Sequence, residues 1–100
     1  MTILSDPENN EVRAIFDMAD FTGKKILEVG CGDGRLTRRY AEDAAYITAI
    51  DPFKEAIKRA KANFPDAYQD RVEFRQIAFE DFAMVSEPAS FDLVVLSWAL

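Results

Sequence analysis

The chain has 100 residues, of which 49% are hydrophobic and 30% are charged, and its formal net charge is −6. These values predict one globular domain with a modest core. The negative charge argues against nucleic acid as a partner, because the phosphate backbone would be repelled. With one cysteine and no histidine, the chain alone cannot build an internal disulfide or a histidine-based zinc or catalytic site.

The N-terminal residues carry neither a targeting signal nor a membrane signal. No apolar run in the chain approaches the roughly 18 residues of a membrane span, and no basic region is followed by a long apolar stretch. We therefore expect a cytoplasmic protein without a membrane partner. Residues 1–22 are predicted to be a leading helix, because Val12, Ile15 and Phe16 show helical spacing over 8–20.

Residues 23–100 alternate between strand patterns and helix patterns. Apolar runs predict four strands, over 26–29, 46–50, 72–77 and 91–97. Amphipathic spacing predicts helices over 36–44 and 53–64, the second ending near Pro65. No regular element is predicted for 79–82. This alternation indicates an α/β fold, a parallel sheet with right-handed crossovers and helices on both faces.

A glycine-rich turn follows the first predicted strand, in the stretch ILEVGCGDGRL from Ile26 to Leu36. Glycine permits a positive φ and a close approach of the backbone to a ligand, so this stretch predicts a site for a small polar molecule. A phosphate-binding P-loop is excluded, because no Lys-Ser or Lys-Thr pair follows Gly34. A dinucleotide fingerprint needs glycine at the sixth position, where this chain has Arg35. An NAD-type module is therefore disfavoured but stays open.

The pattern Glu28-x-Gly30-x-Gly32-x-Gly34 at the end of a strand resembles motif I of the class I S-adenosylmethionine-dependent methyltransferases. The resemblance covers nearly the whole chain. It implies a Rossmann-like sheet with the predicted strands in the order 3-2-1-4, truncated after the fourth. Residues 1–100 would then be the N-terminal, cofactor-binding half of a methyltransferase, with S-adenosylmethionine as cofactor and S-adenosylhomocysteine as product.

The resemblance also bears on the chemistry. Displacement at an activated sulfonium mainly requires donor and acceptor to be held in line and water to be kept out. No catalytic residue and no metal are therefore predicted within the chain. The acidic net charge favours a small molecule as the methyl acceptor.

The glycine turn is the part of the cofactor site that the resemblance assigns most specifically. It places the methionine part of the cofactor against the backbone of Gly30, Cys31 and Gly32, with Gly34 completing the turn. An unpaired buried carboxylate is costly. Either backbone donors or a cationic ligand compensate a buried carboxylate of Glu28, or Glu28 is an outward-facing or paired glutamate.

The end of the second predicted strand supplies the ribose and adenine contacts that the resemblance implies. Asp51 is assigned to the ribose hydroxyls. Together with Pro52 it also fits a helix N-cap followed by proline at the first helical position. Pro52 and Phe53 would flank the adenine, although Phe53 also fits the inner face of the following helix.

The third and fourth predicted strands end beside the same site. After the third strand the family often has an acid that reaches the adenine amino group, but this chain has Ala78 there, with Phe79 next. Either apolar and backbone contacts alone hold the adenine, or Glu80 or Asp81 substitutes. Ser97 ends the fourth strand, where ligands bind in open parallel sheets, so it either edges the pocket or packs against further residues.

The fourth predicted strand has no further neighbour in this interpretation. Its unpaired backbone groups and apolar side chains predict that the chain dimerises or aggregates through this edge. Methyl transfer is accordingly assigned to a longer chain. Two alternatives stay open, an NAD-type nucleotide-binding module and a non-catalytic fragment that binds nothing.

Overall fold

The computed structural model describes residues 2–5, 21–85 and 90–97. The strands are β1 (Thr2–Ser5), β2 (Lys25–Val29), β3 (Tyr46–Asp51), β4 (Val72–Gln76) and β5 (Leu93–Leu96). The helices are α1 (Arg35–Tyr40), α2 (Lys54–Asn63) and α3 (Phe79–Val85), with a 3-10 helix at Asp66–Arg71. The described strands form one parallel sheet in the order β4-β3-β2-β5-β1.

The predicted α/β class and strand order are confirmed. The four predicted strands correspond to β2, β3, β4 and β5, so the predicted order 3-2-1-4 is the observed order β4-β3-β2-β5. The two helices predicted after residue 23 are α1 and α2, and α3 forms where the sequence predicts no regular element. The helix predicted over 8–20 lies outside the described residues.

β1 corrects the expectation about the edge of the sheet. It runs parallel to β5, with Thr2 in register with Leu93 and Ser5 with Leu96. β5 therefore has a neighbour on each side, and the prediction that its edge is exposed for dimerisation or aggregation is wrong. The edges of the described sheet are β4 and β1. β1 also corrects the predicted leading helix over 1–22, because Thr2–Ser5 at its start is a strand.

The core lies on both faces of the sheet because side chains alternate along the strands. On β2, Ile26 packs in a cluster with Leu36 of α1 and Ile57 of α2, whereas Leu27 packs on the other face with Phe82 of α3. α1 and α2 thus cover one face and α3 covers the other.

None of the described helices has the length and apolar composition that a membrane span requires.

α2 illustrates how local sequence sets an element. Its buried residues Ala56, Ile57 and Ala60 share one face of the helix. The helix ends at Asn63 because Phe64 precedes Pro65 and is extended, with ψ of 137°, the conformation favoured before proline.

Gly34 connects the glycine turn to this packing. It is buried, precedes α1 and has φ of +83°. A Cβ added at Gly34 would lie 3.4 Å from the Cβ of Ala60 and 3.4 Å from the Cζ of Phe74. The missing side chain therefore lets the start of α1 pack closely against α2 and β4. This structural role accompanies the cofactor role assigned from the sequence.

We predict that Gly34→Val destabilises the protein more than Gly23→Val. Both glycines have positive φ, and each valine should cost about 1–3 kcal/mol of backbone strain. Gly23 has open space around the added atom, so it is a matched control for the strain alone. At Gly34 the added Cβ is already in van der Waals contact with Ala60 and Phe74, which leaves little room for the methyl groups of valine and should add about 1–3 kcal/mol. Urea unfolding measures both losses, and equal losses would contradict the packing role of Gly34.

Candidate functional site

Three hydrogen bonds hold the carboxyl ends of the strands together at one edge of the sheet. The amide of Ser97, after β5, donates to the carbonyl of Val29 at 2.8 Å. The amide of Ile77, after β4, donates to the carbonyl of Asp51 at 3.1 Å. The amide of Gly32 donates to Oδ2 of Asp51 at 3.0 Å. The predicted site residues at the ends of β2, β3 and β5 therefore lie together, as expected for a parallel sheet.

The glycine turn directs most of its N–H groups inward. The amides of Gly30 and Cys31 donate to the carbonyl of Ile50 at 2.9 and 3.0 Å, and the amide of Gly34 donates to the carbonyl of Cys31 at 3.0 Å. Gly32, with φ of +57°, uses its amide for Asp51. The amides of all three turn glycines and of Cys31 are therefore already paired, and the acids Glu28 and Asp51 lie beside the turn.

The Asp51 side chain fixes the turn and the chain after β3. It is 6% exposed, and while Oδ2 accepts from Gly32, Oδ1 accepts from the amide of Phe53 at 2.9 Å. The N-cap interpretation of Asp51 and Pro52 is wrong, because α2 begins at Lys54 and its N-cap is Phe53. A carboxylate oxygen has more than one lone pair, so each oxygen can accept a second hydrogen bond from a ligand.

Glu28 is fully buried inside β2, with 0% of its surface exposed. Its Oε1 accepts hydrogen bonds from the hydroxyls of Thr37, at 2.7 Å, and Tyr40. Its Oε2 has no hydrogen-bond partner within the described part of the chain. The outward-facing interpretation is therefore wrong, and the carboxyl group is paired on one oxygen only.

Burial decides the protonation of this cluster. Burial raises the pKa of Glu28 to about 7, although the hydroxyls of Tyr40, Thr37 and Ser97 act in the opposite direction, and the charge of Asp51 adds to the rise. The pKa of Tyr40 is also raised well above its usual range, chiefly by burial and then by the charge of Glu28. Tyr40 therefore remains a proton donor at neutral pH.

Cys31 is a packed residue and not a nucleophile. It is buried, and burial raises the pKa of its thiol far above the usual range, with the charges of Glu28 and Asp51 acting in the same direction. The nucleophilic form of cysteine is the thiolate. The small side chain thus fits the turn without offering chemistry of its own.

The residues assigned to the adenine side are the more exposed ones. Phe53 is 70% exposed and Phe79 is 43% exposed. The alternative that Phe53 belongs to the core is therefore wrong, because α2 begins only after it. Phe53 and Phe79 follow neighbouring strands at the same edge, and Pro52 between Asp51 and Phe53 is exposed as well.

Ala78 and Ser97 are half-buried at this edge. The carbonyl of Ala78 accepts from the amide of Phe82 at 3.0 Å and so starts α3. Glu80 and Asp81 are exposed in the first turn of that helix. No described contact ties either acid to the site, so their predicted role as substitutes stays a prediction.

A groove elsewhere on the described part of the molecule is unrelated to these residues. It has a volume of about 710 Å³ and is lined by residues including Tyr46, Phe64, Val72 and Arg75, along the edge strand β4. None of the predicted site residues lines it. We therefore keep the glycine turn as the candidate site, since the convergent polar groups lie there.

Thr37 and Tyr40 are the site residues that sequence analysis missed. They face inward from α1, three positions apart, and are fully buried. Tyr40 additionally stacks on Phe21, with ring centroids 4.7 Å apart. The available signal was the charge of Glu28, because a glutamate inside an apolar strand requires donors from the element packed on it.

A parallel sheet with a glycine turn after one central strand and a buried acid after the next defines a Rossmann-like domain that binds a nucleoside-containing ligand. The model of the family described as "Methyltransferase domain" matches residues 26–100. The chain belongs to this family, the class I S-adenosylmethionine-dependent methyltransferases.

Individual relatives agree with this assignment. The ubiquinone biosynthesis O-methyltransferase of Leptothrix cholodnii is 39% identical over 72 residues, covering 72% of this chain and 30% of that protein. The human mitochondrial protein of the same description is 41% identical over 78 residues, covering 75% of this chain and 21% of that protein. The chain thus spans less than a third of these two curated relatives.

The fold is also similar to solved methyltransferases. The crystal structure of an S-adenosylmethionine-dependent methyltransferase from Mesorhizobium loti has 28% sequence identity and a TM-score of 0.67. The similarity covers 90% of this chain and 38% of that one. The sheet and the glycine turn therefore belong to a known architecture.

We predict that Asp51→Ala loosens the glycine turn. The substitution leaves the amides of Gly32 and Phe53 without their acceptor, which should cost about 1–3 kcal/mol for each donor that water cannot reach. Amide hydrogen exchange should accelerate at Gly32. The control is Asp33→Ala, which removes an exposed carboxylate that accepts from the Arg35 amide and not from Gly32. Unchanged exchange at Gly32 in Asp51→Ala would contradict the role of Asp51.

Proposed function

We propose that this chain binds S-adenosylmethionine at the glycine turn and serves as the cofactor-binding part of an enzyme that methylates a small molecule. The observation that carries the proposal is the polarity of the turn. Its amides are engaged by Ile50, Cys31 and Asp51, and its neighbours Glu28 and Asp51 are acidic. Such a site suits a ligand with a positive charge.

The same polarity argues against an NAD-type module. A pyrophosphate is held by free backbone N–H groups at the start of a helix. Here the amide of Arg35, the first residue of α1, donates to Oδ1 of Asp33 at 3.1 Å. The carboxylate of Asp51, which accepts from Gly32 beside the turn, would also repel a phosphate.

Each assigned residue has a role that its geometry allows. The backbone of Gly30, Cys31 and Gly32 would lie along the methionine part. The free oxygen of Glu28 would face its ammonium, which suits a buried acid with one unpaired oxygen. Asp51 would accept hydrogen bonds from the ribose hydroxyls on lone pairs that Gly32 and Phe53 leave available.

The adenine would lie between the strand ends of β3 and β4. The exposed rings of Phe53 and Phe79, together with Pro52, offer apolar contact to a planar base. With Ala78 in place of an acid, polar contacts to the base would come from the backbone after β4. Ser97 would edge the site on the side of β5.

Methyl transfer mainly requires that the methyl donor and the acceptor are held in line. When bound, the sulfonium of the cofactor supplies an activated methyl group. The glycine turn holds this ligand, and Asp51 orients its ribose. Glu28 faces the ammonium of the ligand and shields it from water. No residue of this chain is proposed as the general base, which is left to the acceptor or to further residues.

The acceptor class is proposed from the relatives and the charge. The Leptothrix and human proteins are described as O-methyltransferases of ubiquinone biosynthesis, which favours a small molecule with a hydroxyl group. The net charge of −6 is consistent with an uncharged or cationic acceptor. The cytoplasmic location expected from the N-terminal sequence stays a prediction.

Calorimetry tests the cofactor proposal. S-adenosylmethionine and S-adenosylhomocysteine should bind, and NAD should produce no binding heat. Gly32→Val should weaken binding at least tenfold, because a side chain at φ of +57° strains the turn and occupies the ligand's contact surface.

Gly23→Val is the matched control, since it places the same side chain at a positive φ outside the site. It should retain the affinity of the natural chain, with circular dichroism confirming that both variants are folded. Binding of NAD alone, or no binding by a folded sample, would reject the proposal. Equal affinity in the two valine variants would reject the placement at the turn.

A further inference from the structure

The cluster around Glu28 is polar, and among the residues that the structure describes it holds no compensating cation. Thr37 and Tyr40 of α1 both donate to Oε1, and Oε2 is buried without a hydrogen-bond partner among the described residues. From the carboxyl ends of the neighbouring strands, Ser97 favours the charged form of Glu28 and the carboxylate of Asp51 opposes it. The groups that act on Glu28 are thus neutral or negative.

We propose that Glu28 carries a proton until a ligand with a positive charge occupies the glycine turn, and that binding of this ligand releases the proton to solvent. This inference rests on the proposed function, since S-adenosylmethionine and S-adenosylhomocysteine both carry an α-ammonium group. Glu28 would act as a proton-linked sensor of the amino-acid part of the ligand.

The physical reason is a competition between burial and charge. Burial raises the pKa of Glu28 to about 7, so the protonated form dominates at mildly acidic pH before binding. An ammonium within a few ångströms favours the carboxylate and lowers this pKa. Tyr40 and Cys31 do not take part in the exchange, because burial raises the pKa of both and keeps them protonated.

The binding experiment is calorimetry with S-adenosylhomocysteine in buffers of different ionisation enthalpy. Near pH 6 the heats should differ between buffers by an amount that corresponds to about one released proton. Between pH 5 and 7 the affinity should rise by up to tenfold per pH unit and then level off. This window lies below the ordinary α-amino pKa of about 8, so the ammonium of the ligand does not titrate within it.

Two comparisons locate the effect. The ligand 5′-methylthioadenosine has the adenine and ribose but no ammonium, and it should bind without releasing a proton. Glu28→Gln should make the affinity for S-adenosylhomocysteine independent of pH. The control Glu42→Gln removes an exposed carboxylate outside the site and should keep both the pH dependence and the proton release.

A second readout needs no ligand. Glu28 charges at about pH 4.5 in the unfolded chain but near 7 when folded, so the folded state binds more protons between these values. The unfolding constant of the natural chain should therefore rise relative to that of Glu28→Gln by about 80-fold between pH 4.5 and 7, and by about 300-fold over the whole titration, from about pH 3.5 to about pH 8.5. Above that range the ratio should stay constant.

Failure of this inference is distinguishable from failure of the proposed function. If S-adenosylhomocysteine binds with an affinity that does not depend on pH and releases no proton, the role of Glu28 is overturned and the cofactor assignment stands. Proton release with 5′-methylthioadenosine would overturn the link to the ammonium. No binding of either ligand at any pH would overturn both proposals.

Discussion

The carboxylate of Asp51 is the contact on which the site depends. It joins the amide of Gly32, in the turn after β2, to the amide of Phe53, in the chain before α2. The carbonyl of the same residue accepts from Ile77 after β4. One residue thus sets the relative positions of three strand ends, and a ligand that bonds to its side chain meets a site that is already assembled.

Glu28 adds a second acidic group to the site, from β2, the strand that leads into the glycine turn. A buried carboxyl group with one bonded and one free oxygen is unfavourable for folding when it is charged. The proposed role in binding explains its presence inside a strand that otherwise buries apolar side chains. Thr37 and Tyr40 orient it, so α1 supports the site through side-chain hydroxyls and the turn supports it through backbone geometry.

Sequence patterns predicted the elements that short stretches of the chain determine. β2, the turn and β3 could be predicted because their apolar runs and glycines are contiguous, and the strand order followed from the family resemblance. β1 could not be predicted, because its four residues form a strand only by pairing with β5, about ninety positions away. The partners of Glu28 were missed for the same reason, since Thr37 and Tyr40 acquire their role only when α1 packs on the sheet.

The direction of β1 determines where a tag or a solid support joined to the start of this strand lies relative to the ligand site. Because it runs parallel to β5, Ser5 is level with Leu96, beside the ligand edge, and Thr2 is level with Leu93 at the opposite end. Three residue steps separate the two levels, about 10 Å along the strand. A purification tag, fluorophore or solid support joined before Thr2 would consequently start at the end of the strands opposite the glycine turn and leave the turn accessible to ligand.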